Sequence, residues 1–136
     1  MTVHTIHRVQ LDVTQRPRPD GTVPASTHVP FYLALEMMFE AWRRVLATTC
    51  QDILEPRDLG VVNVTSDFGR ELHVGATAFD VDLERVGTSS ITFRIDVGQN
   101  GQHAATIRTT LAQVNDDRTR SVPLSPLQRA ALELLQ

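Results

Sequence analysis

Between Pro30 and Cys50 the chain carries one long, largely apolar segment, and from there to Val122 it carries only short alternating ones. A run of strands with a single helix to pack against leaves few architectures open. The strands form a sheet, and the sheet buries one face against that helix. The same segment places a carboxylate, Glu36, on an otherwise greasy stretch.

The helix follows from spacing. Phe31, Leu35, Met38, Phe39, Trp42, Val45 and Leu46 recur at three- and four-residue intervals, which only a helix gathers on one face. Leu33, Met37 and Ala41 widen that face, so the helix is expected to be buried on most sides. Pro30 suits the first turn, where its missing N–H costs nothing. Glu36, Glu40, Arg43, Arg44 and Thr48 form the remaining strip, with Glu40 four residues before Arg44 in the favourable orientation. Glu36 thus has two readings, a member of a solvated strip or a functional carboxylate.

The strands follow from alternation. Phe79, Val81 and Leu83 alternate with Asp80, Asp82 and Glu84; Ile91, Phe93, Ile95 and Val97 alternate with Thr92, Arg94 and Asp96. A sheet with one dry face and one wet face needs this period of two. Val86-Gly87-Thr88 reads as a tight turn, and Gly98-Gln99-Asn100-Gly101 as a hairpin whose Asn and Gly tolerate positive φ. Further strands are expected over about 3–13, 60–65 and 103–114, the last with Ile107 and Leu111 inward. The predicted order is strand, helix, then four strands joined mostly by short turns, neighbours antiparallel. Ser125-Pro126 then opens a short C-terminal helix bearing Leu127, Ala130, Leu132 and Leu135.

At 136 residues and 41% hydrophobic content, the chain is expected to bury one core, as a single domain over 1–136. The net charge of −3 and the lack of any basic run argue against a nucleic-acid partner, which needs clustered cations. All thirteen cationic side chains are arginine. One cysteine, Cys50, allows no internal disulfide and suits a reducing cytoplasm. No stretch resembles a signal peptide or a membrane span, so a soluble cytoplasmic protein is expected. The five histidines show no metal-ligand spacing, and neither a metal nor a separate cofactor is expected.

A strand, a loop carrying Asp20, then a helix opening on Tyr32-Leu33 with Glu36 four residues beyond the tyrosine, resembles the hot-dog fold. In particular it resembles the 4-hydroxybenzoyl-CoA thioesterase-like branch, whose members often read Asp-x-x-Gly-His-Val-Asn, then Tyr-Leu, then Glu. Val86-Gly87-Thr88-Ser89-Ser90 and Ala104-Ala105-Thr106-Ile107 resemble the middle hairpin and last long strand of that branch. The resemblance implies an α+β protein, with a five-stranded antiparallel sheet wrapped around one long helix. It also implies hydrolysis of an acyl or aryl thioester of coenzyme A or of acyl carrier protein. Coenzyme A or phosphopantetheine would enter as part of the substrate.

The chain departs from the branch at its loop. The branch places its Asp ten residues before the tyrosine, whereas Asp20 lies twelve before Tyr32, within Arg16-Pro17-Arg18-Pro19-Asp20-Gly21. The His-Val-Asn triplet is absent, and His28 stands roughly where the branch carries its Asn. Asp20-Gly21 is also a common turn pair. Related hot-dog thioesterases use a helix carboxylate, which points to Glu36, so Asp20 and Glu36 both stand as the catalytic carboxylate.

Thioester hydrolysis needs a carboxylate to activate water or attack the carbonyl, and donors for the resulting oxyanion. The backbone N–H groups of Val29 and Phe31, at the positive end of the helix, suit the oxyanion. Glu36 in a closed pocket would be harder to ionise. His28 is placed to hold the carboxylate or donate to the carbonyl. Tyr32, Phe68 and Arg70 are expected to contact the acyl group or the carrier. Arg85, with Gly87, Ser89 and Ser90, is the first choice for the coenzyme A phosphates, with Arg70 second. Asp67 and His73 flank Phe68-Gly69-Arg70, and Cys50 lacks a paired His to act as a nucleophile.

A lone five-stranded sheet leaves its edges open, so a homodimer or a tetramer of dimers is expected. Two other activities share the fold. A dehydratase or hydratase would pair a loop His with a helix carboxylate, at a longer spacing than the eight residues from His28 to Glu36. A non-catalytic acyl-thioester-binding protein would explain the altered Asp loop.

Overall fold

The computed structural model describes residues 4–136, so Val3, expected to open the first strand, lies outside them. The elements run β1 (Ile6–Val13), a two-residue strand β2 (His28–Val29), α1 (Phe31–Cys50), a 3₁₀ turn (Pro56–Asp58), β3 (Leu59–Phe68), a second two-residue strand β4 (Leu72–His73), β5 (Gly75–Val86), β6 (Ser90–Gln99), β7 (Gln102–Gln113) and α2 (Pro126–Glu133). Five long antiparallel strands, one long helix and a short C-terminal helix are all present, as expected.

The order of strands in the sheet departs from a simple run of neighbours. It is β1-β5-β6-β7-β3, with β2 and β4 forming a separate two-stranded ladder. The tight hairpins β5–β6 and β6–β7 fill the centre, because short turns can only join adjacent antiparallel strands. That leaves β1 to pair with β5 at one edge and β3 with β7 at the other. The chain between β3 and β5 therefore crosses the sheet, and β4 lies on that crossing.

The alternation read from sequence sets the two faces. Phe79, Val81 and Leu83 of β5, Ile91, Phe93, Ile95 and Val97 of β6, and Ile107 and Leu111 of β7 are buried. The outward residues form ion pairs across strands, Arg8–Asp80 at 2.7 Å and Arg108–Glu84 at 3.1 Å. The β6–β7 turn carries Asn100 and Gly101 at φ 53° and 73°, the left-handed pair that a two-residue hairpin requires.

Helix α1 lies on the inner face through Leu33, Ala34, Met38, Ala41, Trp42, Val45 and Leu46, with Trp42 stacked on Phe93 at 5.9 Å. Pro30 serves as its N-cap, extended at ψ 146°, and does not enter the first turn. The helix is less enclosed than its apolar width suggests. Phe31, placed by periodicity on the buried face, is 61% exposed, while Leu33 and Ala34 of the same turn are buried. The helix ends at Cys50, where Gln51 turns to extended backbone and Asp52 takes a left-handed φ of 65°.

At the C-terminus, Ser125 and Gln128 close a reciprocal capping box on α2. Gln128 also donates to the Gln113 side chain at 2.6 Å, and Gln113 donates to the Val122 and Pro123 carbonyls. The buried amide of Gln113 is satisfied in this way, and α2 is fixed over the far end of α1.

Candidate active site

The site is built where the chain returns from β1 to α1. Gln15 donates to the carbonyls of Ser26 and His28, and the His28 N–H donates to Ser26 Oγ at 3.1 Å. These bonds tie the Ser26–His28 stretch to the end of β1, and β2 pairs with β4, His28 opposite His73 and Val29 opposite Leu72. On the β4 side, Gln99 accepts from the His73 N–H at 3.0 Å and donates to the His73 carbonyl at 2.7 Å. The turn between β3 and β4 is pinned in turn, because the Gly69 and Arg70 amides both donate to the Ala104 carbonyl.

Because Gln99 takes both backbone groups of His73, and Val74 N–H donates to the Thr27 carbonyl, the bonded position of the ladder falls at Val29 and Leu72. The Val29 amide is thereby engaged with β4. The helix begins two residues later behind Pro30, which has no side chain to cap it. The Leu33 N–H reaches the Pro30 carbonyl at 3.0 Å, while the Phe31 and Tyr32 amides belong to the first turn and have no intrahelical acceptor. Of the two amides read from sequence as oxyanion donors, Phe31 is the one left unpaired at the helix N-terminus.

A cavity of about 400 Å³ opens at this point, lined by His28, Val29, Phe31, Phe68, Gly69, Arg70, Glu71 and Leu72. Phe68 ends β3 and meets Phe31 edge to face at 5.9 Å, and Tyr32 stands 6.3 Å from Phe31. Arg70 makes no ion pair among the described residues. His28 Nδ1 lies 2.6 Å from Glu71 Oε2, and the His28 and His73 rings pack at 4.5 Å. The structure thus brings together His28, Val29, Phe31, Phe68 and Arg70 from the sequence candidates, and adds Glu71.

The two candidate carboxylates do not line this cavity. Asp20 accepts from the Thr22 N–H at 2.9 Å and from Thr22 Oγ1 at 2.6 Å, which holds its carboxyl below the usual carboxylate range. It closes an exposed turn with Gly21 at φ 87°. Glu36 lies on the solvated strip of α1 and pairs with Arg16, its side chain half exposed. The enclosure expected to make it harder to ionise is absent within one chain.

Arg85, Gly87, Ser89 and Ser90 stand at the opposite end of the sheet. The start of β5 at Gly75 pairs with the end of β1, on the side where the chain turns toward α1, whereas Val86 pairs with Ile91 at the other end. There the Gly87 carbonyl accepts from Arg129 of α2 at 2.6 Å, and the Gly87 N–H donates to the Ser90 carbonyl. A larger concavity of about 530 Å³ also lies toward that end, beside the C-terminus of α1. Its rim arginines are partly neutralised, Arg44 by Glu40 and Arg57 by Glu55, and its floor includes Cys50, whose thiol burial pushes up. A protonated thiol there is no nucleophile. Cation, histidine and unpaired amide come together at the smaller cavity.

No protein-family model and no curated protein matches this sequence. The comparison of folds decides the family of shapes. A thioesterase from Thermus thermophilus, solved with coenzyme A and zinc, superposes with a TM-score of 0.77 at 25% identity over 96% of this chain and 92% of that one. This is the hot-dog fold. A second hot-dog neighbour, a 1,4-dihydroxy-2-naphthoyl-CoA thioesterase from Synechocystis, matches at 0.72 and 20% identity over 94% and 96% of the two chains. A third, a Staphylococcus aureus protein in complex with CoA, matches at 0.77 and 11% identity over 99% and 86%. The hot-dog resemblance read from Tyr32, Leu33 and Glu36 is borne out at the level of the fold. No helix among the described residues is long and apolar enough to cross a membrane.

Sequence reasoning missed Glu71, Leu72 and Gln99. None of them carries a local pattern. They join the site only because the β2–β4 ladder forms, and two-residue strands are too short to show alternation.

Proposed function

We propose that the protein hydrolyses an acyl or aryl thioester of coenzyme A or acyl carrier protein at the cavity beside the N-terminus of α1. The observation that carries this reading is the uncapped Phe31 amide at the mouth of a cavity walled by aromatic rings and one unpaired arginine. An N–H at the positive end of a helix stabilises the charge that develops on a thioester oxygen. Phe31, Tyr32 and Phe68 offer apolar surface for the acyl group, and Arg70 a cation for a phosphate or carboxylate. The CoA-bound hot-dog neighbours support the same substrate class. The Tyr32-Leu33 opening of the helix and the Tyr32-to-Glu36 spacing support the 4-hydroxybenzoyl-CoA thioesterase-like branch.

The working unit in this reading is a cytoplasmic homodimer, or a tetramer of dimers. Strand β3 is a sheet edge and exposes Val61, Val62, Val64 and Phe68. An open apolar edge is a template for a second copy. Arg85, Gly87, Ser89 and Ser90, remote from the cavity within one chain, would reach a coenzyme A moiety only from the second subunit. No metal or cofactor other than the substrate's own pantetheine carrier enters the reading.

One observation favours a second reading, acyl-thioester binding without turnover. Asp20 is tied to Thr22 and Glu36 to Arg16, so either must be released before it can activate water. Free-thiol release from acyl- and aryl-CoA thioesters and an acyl carrier protein thioester separates the two. Wild type, Asp20→Asn and Glu36→Gln are measured in parallel. Thiol release by wild type establishes the hydrolase. Tight binding of the thioesters with no thiol released establishes the binding protein.

A further inference from the structure

Resting on the hydrolase reading, we propose that His28 is the general base of the reaction and that Glu71 is the residue that positions it. Both line the cavity, whereas Asp20 and Glu36 do not. His28 Nδ1 lies 2.6 Å from a Glu71 carboxylate oxygen, which can only accept, so the contact favours the tautomer with its proton on Nδ1. That leaves the Nε2 lone pair available, and Nε2 has no hydrogen-bond partner among the described residues. A carboxylate that fixes the tautomer of an imidazole is the arrangement a histidine base requires.

The backbone under both residues is held. His28 is bonded through its N–H to Ser26 and through its carbonyl to Gln15, and Glu71 follows the turn whose amides converge on Ala104. The His73 ring, 4.5 Å away and tilted by 49°, limits rotation of the His28 ring. The charged and titratable groups facing His28 are Glu71 and His73 from the β3–β4 segment and Arg70 across the cavity. Phe31, three residues along the chain from His28, lines the same cavity.

The step balances without a co-reactant. His28 Nε2 takes a proton from water as the water oxygen forms a bond to the thioester carbon. The carbonyl electron pair moves to its oxygen, beside the Phe31 N–H. The tetrahedral intermediate collapses, the carbon–sulfur bond breaks, and the leaving thiolate takes the proton back from His28 Nε2. The products are a carboxylic acid and a free thiol.

The test is steady-state thiol release by wild type, His28→Ala, His28→Gln, Glu71→Gln and Glu71→Asp, each checked for folding by circular dichroism. His28→Gln keeps the site falsifiable should His28→Ala fail to fold. The expected result is a loss of about 10²–10⁴-fold in kcat for the His28 variants with KM little changed. Added imidazole should restore part of the His28→Ala activity, which a merely structural role would not allow. Glu71→Gln should lower kcat and not raise KM, and Glu71→Asp should recover part of it. An active wild type whose kcat survives His28→Ala or His28→Gln overturns this proposal alone. So does a loss confined to Asp20→Asn or Glu36→Gln. A Glu71→Gln defect seen only in KM overturns the positioning role. A wild type that releases no thiol from any of these thioesters overturns the hydrolase reading, and the base with it.

Discussion

Arg16, in the proline-rich stretch after β1, pairs with Glu36 on the solvated strip of α1. The contact crosses from a long connection to the helix, with both side chains about half exposed. Exposed pairs of this kind contribute about 1 kcal/mol or less, because solvent screens them and two long side chains must be ordered. Glu36→Gln should therefore lower the stability measured by urea denaturation by no more than that amount. The effect should shrink further at high salt.

The core makes a larger demand. Phe93 is fully buried and stacks on Trp42 with an interplanar angle of 17°. Phe93→Ala removes the ring and leaves a cavity between sheet and helix, at a cost of about 3–5 kcal/mol. Urea denaturation followed by the single tryptophan should show the midpoint falling accordingly.

Strand β3 sets the third expectation. Only Leu59 of its ten residues is buried, and its outer edge is unpaired within one chain. Val64→Lys puts a charge on that edge and should convert a dimer to a monomer by light scattering at micromolar concentration. A monomeric wild type would remove the premise.

Asp20 gives a pH dependence. Its hydrogen bonds from Thr22 hold the folded carboxyl below the ordinary value of about 3.9. Ionised Asp20 therefore contributes its stabilisation in full above that ordinary value, and the contribution is lost as the pH falls through the depressed one. Thr22→Val removes the hydroxyl donor and keeps the backbone donor. In this variant the Asp20 side-chain titration followed by NMR should move part of the way back up.

How far the candidate site was legible follows from where each residue sits. His28, Phe31, Phe68 and Arg70 border elements that announce themselves through a helix start or a strand end, and the cavity unites them. Glu36 was legible both as part of a solvated strip and as a functional carboxylate, and its contact with Arg16 puts it on the strip. The Val29 amide read as free because the β2–β4 ladder that engages it leaves no trace in local pattern.

Which of the long segments are helix and strand, which faces of β5 and β6 are dry, the Asn100-Gly101 hairpin and the Ser125 cap were written in the order of residues. Those features depend on residues a few positions apart, and periodicity records them. Folding in three dimensions was needed to carry β3 to the far edge beside β7, to bring Arg16 to Glu36 and to set His28 against Glu71. Alternation says which way a strand faces and not which strand lies next to it. The path of the chain across the sheet settles that.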